Sequence, residues 1–194
     1  MTIPYSIVNQ DVRQWAQAHG MRVTDGHMEP GKAGEFDGIS IIMNTSYALA
    51  DQTYYLVHAL GSIVRWSLSK ESTQEMFDEL RAAKQGNDRA RLESAIDRYR
   101  SFETESSEFA VWILGQIGHA DAVPLYTNFM RADLEALTAY HRRGQAPVWQ
   151  DFFARWNEEV VAGHLQLSPF RPKEIPDFKP RKIEKQEILQ KQPE

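Results

Sequence analysis

Between Leu49 and Tyr140 apolar residues recur three or four positions apart in one segment after another, and this period commits most of the chain to packed helices. Leu49 to Leu68 places Leu56, Leu60, Ile63 and Val64 at helical spacing behind the capping and turn residues Asn44, Thr45 and Ser46. Glu71 to Ala83 follows as a further helix, ended by Gln85, Gly86 and Asn87. Arg89 to Ile117 reads as a long one carrying Tyr99, Phe102, Phe109, Ile113 and Ile117. Asp121 to Tyr140 repeats the pattern with Val123, Tyr126, Met130, Leu134 and Leu137, and Pro124 falls in the first turn, where its missing N–H costs nothing. Pro147 opens a last helix with Trp149, Phe152, Phe153, Trp156 and Val160 on one face, closing near Gly163.

The N-terminal part has another texture. Asp11 to His19 is a short amphipathic helix stopped by Gly20. Arg22 to Gly26 then reads as a strand, a stretch containing Gly and Pro runs through Gly34, and Phe36 to Met43 forms a second strand, in which Ile39, Ile41 and Ile42 are the strongest β signal of the chain. The fold class expected is α+β, mainly α: a helical domain over 1–164 with a small N-terminal β-hairpin or sheet, then a tail rich in Pro, Lys and Glu over 165–194. Pro169, Pro172, Pro176 and Pro180, with little apolar side chain between them, point to an extended or disordered, solvated end, the alternative being an arm that binds a partner.

A net charge of -5 argues against non-specific binding to nucleic acid or anionic membrane, both of which need a positive footprint, and leaves a protein as the expected partner. The chain has no cysteine, so disulfides and thiolate metal sites are excluded. Without an apolar leader behind the start, a cytoplasmic location is expected. The longest apolar runs, such as Phe109 to Leu114, fall far short of the roughly 20 residues of a membrane span. Oligomeric state is not readable from the sequence.

The helix over Leu49 to Leu68 carries His58, Gly61, Ser62, Arg65 and Ser69 on one stripe opposite its apolar face, the place where chemistry would sit. A hydrolytic zinc helix of the H-E-x-x-H kind needs two imidazoles at i and i+4 and a Glu beside the first to take a proton from the metal-bound water. Here the corresponding run is His58-Ala59-Leu60-Gly61-Ser62. Upstream, the strand Phe36 to Met43 leads to Asn44; downstream, Glu103 to Leu114 is an acidic helix containing Phe109-Ala110 and a later Leu.

This ordered set resembles the ImmA/IrrE-like metallopeptidases, zincins with a strand ending near an Asn, then H-E-L-G-H, then a helix of the form E-x-x-A-N-x-F-A-x-x-L-L. The resemblance covers about residues 10 to 120. It implies a zincin-like fold, His58 as the first zinc ligand and Glu103 as the third, because Glu103 precedes Phe109 as the family's Glu precedes its Phe. Ala59 stands at the general base and Ser62 at the second ligand, so the centre is a degenerate, vestigial one. Ser106 and Ser107 also replace the family's Ala-Asn, and Gly115 with Gln116 its usual Met-Pro. A hydroxyl is a poor zinc ligand at neutral pH, and a methyl group cannot accept a proton. No catalytic residue, no metal and no other cofactor are therefore expected; zinc held by His58 and Glu103 remains the alternative, with His27, His119 or His141 as a substitute ligand.

Working members of the family cleave helix-turn-helix repressors, often of mobile elements or stress responses. The resemblance thus implies a pseudoenzyme that binds such a DNA-binding regulator without cutting it. The alternatives are a metal-dependent hydrolase rebuilt around His58 and Glu103, and a helical interaction protein unrelated to peptidases. Among other groupings, Trp149, Phe152, Phe153 and Trp156 read as core packing rather than a ligand box, Arg142-Arg143 and Arg89 to Arg91 as solvated helix ends, and Glu103, Glu105 and Glu108 as carboxylates that do not converge.

Overall fold

A computed structural model describes residues 3–29, 32–86, 88–144, 148–164 and 170–183. Along the chain these form α1 (Tyr5–Ala18), β1 (Arg22–Gly26), β2 (Gly34–Phe36), β3 (Ser40–Asn44), α2 (Leu49–Leu68), α3 (Lys70–Gln85), α4 (Arg89–Gln116), α5 (Val123–Arg143) and α6 (Trp149–Val161). The architecture is the mainly helical α+β arrangement expected, with a small sheet near the N-terminus. No helix among the described residues is long and apolar enough to cross a membrane.

Helix limits follow local chemistry. The Asp88 side chain caps α4 by accepting the Arg91 N–H at 3.1 Å. A short 3-10 turn, Ala120–Ala122, leads into α5, whose second residue is Pro124. α1 starts earlier than Asp11 because Val8, Val12 and Ala16, each wholly buried, form one continuous stripe on its inner side.

The sheet corrects one detail. The stretch expected as a single strand from Phe36 to Met43 is broken: β2 and β3 are antiparallel neighbours, with Phe36 opposite Ile41, and β3 also pairs in parallel with β1, Val23 opposite Ile41. The reversal is written into Asp37-Gly38-Ile39. Asp37 Oδ1 accepts the backbone N–H groups of Ile39 at 3.1 Å and Ser40 at 2.7 Å and the Ser40 hydroxyl at 2.8 Å. Gly38 supplies the left-handed conformation the turn requires, at φ +85°. β3 then alternates, Ile41 and Met43 facing the core and Ile42 outward.

α2 runs through the middle of the molecule. Leu56, Val57, Leu60, Ile63 and Val64 are fully buried, and so are Gly61 and Ser62 on the side expected to be open. That polar stripe is covered by α4. A main core gathers α1, β3, α2, the C-terminal half of α4 and Tyr126 and Met130 of α5. A second core packs Met76, Phe77 and Leu80 of α3 on Ile96, Tyr99 and Phe102 of α4, with Trp66 of α2. Each such side chain contributes roughly 1.5–3 kcal/mol through burial, offset by the entropy of ordering the chain.

Residues 170–183 are extended, as their prolines dictate, yet they are not a solvated end. Phe170 and Ile183 are buried, and Ile175 and Phe178 pack on the main core. The backbone N–H of Lys173 donates to the Glu108 carbonyl at 3.3 Å and that of Ile183 to the Asp37 carbonyl at 2.7 Å. Phe178 stacks on Trp15 and His19 of α1. Pro172, Pro176 and Pro180 suit such a strap, since each fixes φ and brings no N–H that would need an acceptor. The rest of the expected tail, 165–169 and 184–194, lies outside the described residues, as do Pro147 and Asn87.

Candidate functional site

The crossing of α2 and α4 sets the site. At Gly61 the two helices approach so closely that a Cβ there would stand 2.1 Å from the Ser106 carbonyl oxygen and 3.0 Å from the Ala110 nitrogen. One helical turn before that contact, on each helix, come His58 and Glu103. Helix geometry therefore carries two residues far apart in sequence into direct contact: His58 Nε2 lies 3.0 Å from Glu103 Oε2. The pair is deep, with side-chain exposures of 12% for His58 and 3% for Glu103.

Around it stand hydroxyls. Ser62 Oγ is 3.5 Å from the same His58 Nε2, and Tyr126 faces the other ring nitrogen, Nδ1, at 3.4 Å. The Tyr99 hydroxyl hydrogen-bonds to Glu103. Burial, and then the charge of Glu103, push the Tyr99 and Tyr126 phenols well above their ordinary range, against a lowering contribution from Ser107 at Tyr126, so both remain protonated donors. Ser106 and Ser107 turn their hydroxyls back on their own helix, donating to the Phe102 and Glu103 carbonyls at 2.9 Å.

The chemistry open to this arrangement is narrow. An acid–histidine–hydroxyl relay requires the carboxylate on one imidazole nitrogen and the nucleophile on the other. Here Glu103 and Ser62 meet the same nitrogen, and Ser62 is not set up as a nucleophile. Ala59 is 1% exposed and belongs to the main core, leaving no proton acceptor at the position next to His58.

The expected residues separate into two groups. His58, Ser62 and Glu103 are brought together, with Ala59 beside them in the core. Of the other histidines, His27 Nδ1 meets the Thr45 hydroxyl at 3.2 Å, His119 Nε2 meets Asp11 Oδ2 at 2.7 Å, and His141 stands edge-on to Tyr99 at 4.8 Å between centroids. Among the described residues no three His, Asp or Glu side chains form a metal-binding group. Glu105 pairs with Arg65 at 2.5 Å and with Lys173 of the strap at 3.6 Å, pointing away from Glu103's partner. Tyr99 and Tyr126 were legible only as apolar positions of helices; no spacing rule announces that their hydroxyls end beside a His–Glu pair.

The aromatic series of α6 divides as well. Phe153 joins the main core and meets Phe129 at 6.2 Å, whereas Phe152 and Trp156 line a cleft with Arg155 above their rings. The side chain of Trp149 lies outside the described residues.

His141 makes the molecule acid-sensitive. Burial, with the Lys84 ammonium adding to it and Glu103 opposing, pushes its imidazole from 6.5 down to about 4. Above the unfolded value neither state is charged and nothing is lost. Between the two values the unfolded chain takes a proton that the folded one refuses, so stability falls as the pH falls, by about 2–3 kcal/mol. Denaturant titrations at neutral pH and just above the folded value should show that loss in the wild type and a clearly smaller one in His141→Phe. An equal loss in both would refute the assignment.

Comparison with protein-family models, with curated proteins and with solved structures finds no match to this chain.

Proposed function

We propose that the chain is a catalytically inactive relative of the ImmA/IrrE-like peptidases that acts as a protein-binding, regulatory module, with a helix-turn-helix repressor as its class of partner and the cytoplasm as its place of work. The observation that carries this proposal is the contact of His58 with Glu103 at 3.0 Å, because the resemblance requires those two residues, from two helices, to meet. A helical protein of unrelated origin has no need of that pair. The order of elements supports the same view: β3 ends at Asn44, the chain enters α2 at Leu49, and the strand packs beside the helix that carries His58.

Zinc, the metal the resemblance implies for working members, does not fit the donor set. Catalytic zinc takes three protein ligands and a water. His58 and Glu103 offer two, in contact with each other, and the third neighbour is the weakly ligating Ser62 hydroxyl. With Ala59 in place of the base, hydrolysis by the family mechanism has neither a held metal nor a proton acceptor. A rebuilt hydrolase would need His27, His119 or His141; the first two are held by Thr45 and Asp11, and the third stands edge-on to Tyr99.

Elemental analysis of purified protein, combined with affinity capture, tests the proposal. Metal well below one equivalent and recovery of an intact DNA-binding regulator are expected. Stoichiometric zinc that is lost in His58→Ala, together with cleavage of the captured regulator, would overturn it. The degeneracy of the centre can also be reversed. Ser62→His restores a third ligand within reach of His58 and Glu103, and zinc affinity in calorimetric titration should rise by about two orders of magnitude, still without proteolysis. If neither Ser62→His nor the smaller Ser62→Asp gains zinc while remaining folded, His58 and Glu103 are not a ligand pair.

A further inference from the structure

On α5, Arg131, Glu135, Thr138, Ala139 and Arg142 recur at intervals of three and four and form the floor of a cleft of about 620 Å³ walled by α4 and α6. From Arg131 to Arg142 that floor extends about 16 Å at the helical rise. Arg100 enters from α4, Arg155 from α6, and Arg143 stands at the end. Neither His58 nor Glu103 lines it. In a chain of net charge -5, five guanidinium groups facing one groove run against the overall sign.

Two of the five arginines are paired with carboxylates of the protein. Arg142 is held in a forked pair by Glu93, and Arg155 meets Glu135 at 2.6 Å. Arg100, by contrast, donates to the uncharged Thr138 hydroxyl at 3.0 Å, and the Trp156 indole nitrogen is buried with no hydrogen-bond partner among the described residues. Guanidinium forks match carboxylates in geometry as well as in charge. Arg155 also stands over the rings of Phe152 and Trp156, at 5.2 and 5.9 Å.

We propose that this cleft binds an extended acidic segment of a protein partner, Asp or Glu side chains meeting Arg100 and Arg143 and a backbone or side-chain oxygen accepting the Trp156 N–H. At about 3.3 Å per residue, some five residues of extended peptide span the floor. The proposal rests on the protein-binding reading above for the nature of the partner; the charge complementarity stands on the cleft's own residues.

Fluorescence anisotropy on the full chain, with a labelled hexaglutamate peptide as the probe, tests it. Saturable binding is expected, absent for hexaserine, falling with added salt and weakened by about tenfold or more in Arg100→Gln/Arg155→Gln. Because that double variant also frees Glu135, the exposed Arg143→Glu serves as a second variant with an unchanged melting curve, and weakening there is expected too. The cleft assignment fails if hexaglutamate does not bind, if both variants bind it as the wild type does, or if a single-stranded DNA oligonucleotide binds more tightly and competes for the same arginines. Failure of the peptide in a chain that still captures a repressor overturns the cleft alone. Peptide binding in a chain that captures none supports the cleft and overturns the repressor as partner class.

Discussion

Glu103→Ala is expected to lower the free energy of unfolding by about 3–5 kcal/mol, the range for removing one member of a buried ion pair. The side chain is 3% exposed, stands 3.0 Å from His58 Nε2 and takes the Tyr99 hydroxyl, so its removal leaves a buried imidazole and a buried phenol without their carboxylate. His58→Ala should cost a similar amount, because it leaves the carboxyl group without the imidazole. The double variant His58→Leu/Glu103→Leu should be clearly less damaged than the two single losses added together, since replacing both members removes the stranded groups. Chemical denaturation of the four proteins reads the coupling directly. Additive losses would show that the two side chains do not depend on one another.

The second large effect belongs to Gly61. In an open helix, Gly→Ala gains about 1 kcal/mol through propensity. At this crossing the added Cβ would meet a backbone carbonyl oxygen at 2.1 Å, and backbone cannot swing aside as a side chain can. The helices must separate, opening the core that Leu60, Ile63, Ala110 and Ile113 share. A net loss of about 3 kcal/mol is expected for Gly61→Ala, and more for Gly61→Val. Because the crossing also aligns His58 with Glu103, Gly61→Ala should loosen that contact, seen as faster solvent exchange of the His58 ring proton by NMR. A stabilised Gly61→Ala protein would mean that α2 and α4 do not approach as described.

The two predictions show where local pattern stops being enough. The helical period gave the extent of α2 and α4 to within a residue or two, because burial of one face leaves a mark every three or four positions. It also placed His58, Gly61 and Ser62 on one stripe. It could not say that the stripe would be covered, since a polar stripe reads the same whether it faces water or a second helix. The strand from Phe36 to Met43 was misread for a related reason: the β-branched run is continuous, and the reversal depends on three hydrogen bonds to one Asp37 oxygen, a feature of side-chain direction rather than of composition.

The strap over 170–183 makes the same point from the other side. Phe170, Ile175, Phe178 and Ile183 are too sparse to announce a core element, and four prolines within a charged stretch look like a solvated end. They pack because α1, α4 and the β2–β3 turn already present apolar surface and carbonyls to receive them. The arginines of the α5 cleft were likewise visible only as separate helix-end charges, for they come from three helices and share no local spacing.

By itself the sequence determined the helical body, the small sheet and the stripe of α2 that carries His58, Gly61 and Ser62, because periodicity and residue type are local properties that survive without coordinates. Only the tertiary structure decided that His58 and Glu103 touch, that Ser62 shares their nitrogen rather than the opposite one, and that five arginines face one groove. Each of these depends on the angle and distance at which helices cross, and a crossing is set by contacts between residues distant in the chain, such as Gly61 and Ser106, which no stretch of sequence contains together.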